Sequence, residues 1–150
     1  MLRSADFERV LAQAPRSRSA HFAVHHVAAR PSLPKKPVRR VDLQELSTAG
    51  APTCPLPVDE LPADAPMAGW WMGTVVPKRH ARRAVTRNLL KRQMREAMSA
   101  HAGALPAGLW VLRLKAPFDV RQFTSPASAP LRSCARAELS VLLQRAAQAR

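Results

Sequence analysis

Near the start of the chain, apolar side chains recur at i, i+3, i+4 and i+7 (Phe7, Val10, Leu11, Ala14), which predicts an amphipathic helix. Ser4 is placed to cap it, Asp6 and Glu8 lie where the helix dipole favours negative charge, and Pro15 ends it. After a basic turn at Arg16, Ser17 and Arg18 the period changes. The run His21 to Val27 puts Phe22 and Val24 on one side and Ala23, His25 and Val27 on the other, as a strand with two partly buried faces would. Trp70 to Val76, with Gly73 inside it and Pro77 ending it, predicts a second strand, and Leu109 to Leu114, closed by Pro117, a third. A helix from about Arg82 to Ala100 and a loop marked by Gly103, Pro106 and Gly108 lie between those two. Phe118 to Pro130 is turn-rich. Ser133 can then cap a last helix carrying Ala137, Val141, Leu142 and Arg145. The order is that of a small α+β two-layer sandwich, helices against a sheet.

Between Arg30 and Pro66 no apolar period is sustained, and eight of the 14 prolines fall there. Such spacing forbids long helices and central strands, so this stretch is expected to be an extended, mobile insertion with one helical turn at most, in Val41 to Leu46. A chain of 150 residues then makes one domain, 1–150, interrupted at about 30–66.

Charge narrows the partner. The formal net charge is +14, from 24 Lys+Arg against 10 Asp+Glu, which calls for a polyanionic partner such as nucleic acid or an anionic membrane surface. No apolar run is long enough to span a membrane and the first residues lack the apolar core of a secretory signal, so the expected location is the cytoplasm, with no membrane partner. Cys54 and Cys134 form neither a disulfide framework nor a zinc pattern and are expected to be free thiols.

A third of the basic residues fall between positions 78 and 95, with no acidic one among them: Lys78, Arg79, Arg82, Arg83, Arg87, Lys91, Arg92 and Arg95. On a helix, Arg83, Arg87, Lys91 and Arg95 form one i+4 ridge and Asn88 and Arg92 the next, with Leu90, Met94 and Ala97 roughly opposite. A merely solvated face mixes signs, because mixed pairs stabilise it, whereas like charges at i+4 repel. Arginine grips phosphate with a planar fork, and Asn88 adds a donor and an acceptor suited to sugars and base edges. Charge alone would suit DNA, a ribosomal-type structural RNA, or a catalytic RNA.

The register of this segment is more specific. Lys78-Arg79 at the end of a strand, then Arg87-Asn88, Lys91-Arg92 and Arg95-Glu96 on a helix, resembles the signature of the bacterial ribonuclease P protein family, in which two basic residues precede a helix bearing Arg-Asn-Arg, Lys-Arg and Arg-Glu. Leu89 stands where the third residue of Arg-Asn-Arg is usually arginine, and Pro77 where a small residue is usual. The resemblance implies a fold like domain 2 of ribosomal protein S5. It implies a protein subunit that binds a catalytic RNA and the single-stranded 5′ leader of precursor tRNA, with no catalytic residue and no metal ligand of its own. Magnesium would be held mainly by the RNA, and no obligate protein partner is expected. By matching position, Phe7 would line the leader-binding cleft, with Arg18 and Phe22 nearby and Lys78 and Arg79 at its end. Simple core packing beside Val10 and Leu11 suits Phe7 equally.

His21, His25 and His26 invite a metal-site reading, but strand geometry sends His25 and His26 to opposite faces. Trp70 and Trp71 are separated in the same way, so at least one of them is expected in the core.

Overall fold

The computed structural model describes residues 3–32, 69–125 and 127–149. Along the chain these form α1 (Ser4–Leu11), β1 (Ser17–Arg18), β2 (Phe22–Val27), β3 (Trp70–Val75), α2 (Ala84–His101), β4 (Gly108–Leu114) and α3 (Ala129–Gln148), with a single 3-10 turn at Ala102–Ala104. The architecture is α+β, as expected. Its four-stranded sheet runs β1-β2-β4-β3. β4 is antiparallel to β2 and parallel to β3. Parallel neighbours need a crossover connection, and α2 supplies it.

β4 holds the sheet together because it is apolar on both faces. Leu109 and Val111 point one way and Trp110, Leu112 and Leu114 the other, and all five are fully buried. On the larger side α2 and α3 cover Phe22, Val24, Trp110, Leu112 and Leu114. On the smaller side Val10 of α1 sits on Leu109 and Val111, with Phe7, Leu11, Val27, Trp71 and Val75 packed around it. Trp70 and Trp71 are thus half-buried on opposite faces. Gly108 starts β4 with φ of +134°, and a Cβ there would lie 2.4 Å from the Val27 carbonyl oxygen, so no other residue fits without moving β2.

Three local expectations are corrected. The basic turn at Arg16 to Arg18 is in part a strand: Ser17 pairs with Val24 and Arg18 with Ala23. Arg16 fixes that edge, its backbone N–H donating to Val24 O at 2.9 Å and its Nε to Ala146 O at 2.7 Å near the end of α3. α1 begins one residue after Arg3, whose N–H donates to the Asp6 carboxylate at 3.2 Å, and it stops at Leu11, leaving Ala14 outside the helix and exposed. α3 begins well before Ser133. Ser128 caps it, its Oγ accepting from the Leu131 N–H at 3.3 Å, and Pro130 sits in the first turn, where a missing N–H costs nothing. The face that packs is accordingly Leu131, Ala135, Leu139, Leu142, Leu143 and Ala146, while Ala137 and Val141 face solvent.

Of the proline-rich stretch 30–66, residues 33–66 lie outside the described residues, as do the turn expected at Val41 to Leu46 and Cys54. Arg30 to Ser32, however, belong to the folded unit. Arg9 Nη2 donates to Arg30 O at 2.7 Å, and the Ser32 N–H and hydroxyl donate to Asp6 Oδ1 at 3.0 and 2.9 Å. Burial raises the Asp6 pKa, but these Ser32 donors, the Arg3 N–H and nearby Arg9 outweigh it and hold the carboxyl below the usual aspartate value. Val27 and Trp71 both pair with Leu109, so the end of β2 and the start of β3 are two strand spacings apart, about 10 Å. Replacing 33–66 by a short Gly/Ser bridge is expected to preserve one cooperative thermal transition. A broad melt without a transition would mean that the excised residues complete the core.

Candidate nucleic-acid interface

Pro77 ends β3, and its carbonyl accepts from the N–H groups of His80 (3.1 Å) and Ala81 (3.3 Å). The turn so formed holds Lys78 and Arg79 in solvent, and Arg79 Nε donates to His80 Nε2 at 3.1 Å. α2 follows with Arg83 as its N-cap. It buries Leu89, Leu90, Gln93, Met94, Ala97 and Met98 against the sheet and α3.

The charged ridge does not lie straight along α2. Four residues advance the helix by about 400°, so an i+4 ridge drifts by about 40° per step. Arg87 therefore sits half-buried at the edge of the packed face, Lys91 is half-buried, and Arg95 stands in solvent. Arg82, Arg83, Asn88 and Arg92 are also exposed. Arg87 is committed inward, its Nη1 donating to Ala81 O (3.1 Å) and Arg82 O (2.7 Å), which pins the turn to the helix. Among the described residues no carboxylate pairs with any of these cations.

The expected leader cleft is only partly assembled. Phe7 lies half-buried on α1 over Leu109 and Val111, so its ring packs and also keeps an exposed edge. Phe22 is corrected: it is fully buried on the opposite face of the sheet, 5.8 Å from the Phe118 ring, because it pairs with Leu114 and shares that residue's side. Arg18 does lie on the α1 side. It pairs with Ala23, Ala23 with Arg113, and Arg113 with Val75, which makes one row across all four strands. Lys78 and Arg79 leave the sheet from that same end, just past Val75. Arg113 was missed from the sequence, although it is the one charge in the apolar run of β4. It is half-buried and has no carboxylate partner among the described residues.

The histidines do not converge. His21 stacks on Phe118 at 4.0 Å and pairs with Glu138 at 2.8 Å, His25 Nδ1 contacts Gln13 O at 3.0 Å, and His26 Nε2 contacts Ala107 O at 3.1 Å. Burial, and then the Arg16 cation, hold the His26 pKa below its usual value against the opposing pull of the Ala107 carbonyl. Burial raises the Glu138 pKa, yet donors from His21 and Ser19 bring it below the usual value. No group of three or more His, Cys, Asp or Glu among the described residues is placed to hold a metal ion. No described helix is long and apolar enough to cross a membrane.

A four-stranded mixed sheet with one helix on one face and two on the other, one of them carrying a run of cations that no described carboxylate pairs with, defines an α+β protein with a strongly basic helical surface. The family model for Ribonuclease P matches residues 1–138, and the chain belongs to that family. It is 44% identical over 77 residues to the ribonuclease P protein component of Burkholderia pseudomallei, covering 51% of this chain and 57% of that one. It is 42% identical over 87 residues to that of Bordetella parapertussis, covering 58% and 67%. The Burkholderia match thus spans little more than half the length of that relative. A solved Staphylococcus aureus RNase P protein has the same fold, with a TM-score of 0.53 at 16% identity over 96% of this chain and 91% of that one.

Because Arg87 braces two carbonyls, Arg87→Ala is expected to cost about 1 kcal/mol of stability, discounted from a charged hydrogen bond's usual value for its partial exposure. Denaturant titration reads it directly, and an unchanged midpoint would contradict the brace.

Proposed function

We propose that this chain is the RNA-binding protein subunit of ribonuclease P, assisting a catalytic RNA in endonucleolytic removal of the 5′ leader from precursor tRNA. The family match supports the assignment. The observation that carries it at the residue level is the basic segment from Lys78 to Arg95, on a hydrogen-bonded turn and helix, with no carboxylate partner among the described residues. Lys78, Arg79, Arg82, Arg83, Asn88, Lys91, Arg92 and Arg95 would meet the RNA subunit, while Arg87 chiefly holds that surface in shape. Each phosphate neutralised releases condensed counterions, which makes docking strong at low salt and steeply salt-dependent. By lowering phosphate repulsion in the RNA, the same charges would help magnesium sites there to fill.

Magnesium in this reading belongs to the RNA, and no step of the cleavage is assigned to a residue of this chain. The α1 face of the sheet would take the single-stranded leader. The exposed edge of Phe7 offers a stacking surface that tolerates any base, and Arg18 and Arg113, in one row across the strands, are spaced to meet its backbone. The cytoplasm, where precursor tRNA is processed, is the location consistent with this role. A ribosomal-type structural RNA-binding protein would use the same basic helix, but it offers no reason for the match to the ribonuclease P family model.

Phe7→Ala is expected to raise the Kd for precursor tRNA with a long 5′ leader about thirtyfold, the middle of the range for one lost stack, and to leave mature tRNA binding unchanged. The thermal midpoint is measured beside it. A destabilised variant that weakens both substrates equally would refute the leader assignment and leave Phe7 as core.

A further inference from the structure

Between α2 and the start of α3 lies a groove of about 920 Å³. Lys91, Arg92 and Arg95 reach it from α2 together with Asn88, Arg132 reaches it from the first turns of α3, and Leu89 lines it between them. One carboxylate borders the same space, that of Glu96, and it is already engaged: Arg136 pairs with it and Gln93 Nε2 donates to it at 3.1 Å. Four cations therefore face one concavity, and none of them is paired with a carboxylate among the described residues. The first turn of α3 carries no acidic residue that would offset them.

Leu89 explains why a second wall matters. It is 9% exposed and packs into the larger core, so α2 presents an apolar gap beside Asn88 and Arg92, at the position where the motif it resembles carries arginine. Arg132 opens into the same groove from the facing helix and is exposed. We infer that Arg132 supplies from α3 the guanidinium that α2 lacks at Leu89, and that the α2–α3 groove seats a stretch of RNA phosphate backbone between two basic walls. Four cations spread over an open groove of this size match a run of phosphodiesters better than one compact anion, and guanidinium forks suit phosphate oxygens. The inference rests on the reading of α2 as the face that docks the RNA subunit, and it extends that face onto a helix outside the Lys78 to Arg95 segment.

The test titrates the full chain against the transcribed ribonuclease P RNA subunit of the same genome, over a series of monovalent salt concentrations. Arg132→Ala is expected to raise the Kd about fivefold or more and to reduce the slope of log K against log salt by about one, with the thermal midpoint unchanged because the side chain is exposed and has no carboxylate partner among the described residues. Leu89 is 9% exposed and an arginine there costs stability, so the thermal midpoint of Leu89→Arg with Arg132→Ala is measured first, and the folded double variant is expected to restore affinity and slope together. A combined Lys91→Ala and Arg92→Ala variant runs beside them. If the slope falls in that variant but not in Arg132→Ala, the α3 wall is wrong and the α2 docking face stands. If the slope is unchanged in both, the docking face itself is wrong and the inference falls with it. A folded Leu89→Arg, Arg132→Ala variant that binds as weakly as Arg132→Ala alone would overturn the exchange of one cation for the other.

Discussion

The two-sided burial of β4 is the constraint on which the molecule depends. A strand apolar on both faces must be covered on both, and here α1 covers one and α2 with α3 the other. The parallel pairing of β3 with β4 then obliges the chain to cross over through α2, which places the basic helix beside α3 and away from α1. The two surfaces assigned to RNA are thereby separated by the thickness of the sheet. One is a pair of helices carrying cations; the other is a half-open sheet face with an aromatic ring at one end and a row of arginines at the other.

Charge on these surfaces divides into cations that hold the protein together and cations left for a ligand. Arg16 ties β1 to the end of α3, Arg9 joins α1 to Arg30, and Arg87 pins the turn before α2, each by donating to backbone carbonyls. Carbonyl partners neutralise no charge, so Arg16 and Arg87 leave the local field positive, whereas Arg9 also pairs with Asp6 at 3.4 Å. Among the described residues few carboxylates are spare to offset it. Asp6 is consumed by Ser32 and Arg3, Glu138 by His21, and Glu96 by Arg136 and Gln93. A folded chain with this arrangement gains from an external polyanion what it lacks internally.

The elements with long, clean periods were legible in the sequence. β2, β3, β4 and α2 follow from the alternation or 3.6-residue spacing of their apolar positions, but the i+4 spacing of the basic residues hid the drift that turns Arg87 inward and leaves Arg95 in solvent. What was not legible depends on partners distant in the chain. β1 is two residues long and exists because Val24 and the end of α3 hold it. The start of α3 was hidden because Pro130 reads as a breaker until Ser128 is seen to cap the turn around it. Alternation in β2 separates Phe22 from Ala23 correctly but does not say which side meets α1, so nothing in the pattern could check the cleft position that the resemblance implied for Phe22. Arg113 could have been found as the lone charge in a buried strand, a local rule broken where function is expected. Arg132 could not, since only the packing of α3 against α2 brings it to the groove.

The central claim, that this chain assists a catalytic RNA, is tested most directly by reconstitution. Precursor tRNA cleavage by the cognate RNA subunit is measured with and without the purified chain as magnesium is lowered. The account predicts that the chain sustains cleavage at magnesium concentrations where the RNA alone has stopped, and that the benefit shrinks as monovalent salt rises. Cleavage that is indifferent to the chain at every magnesium concentration, by a protein that binds the RNA and melts cooperatively, would contradict it.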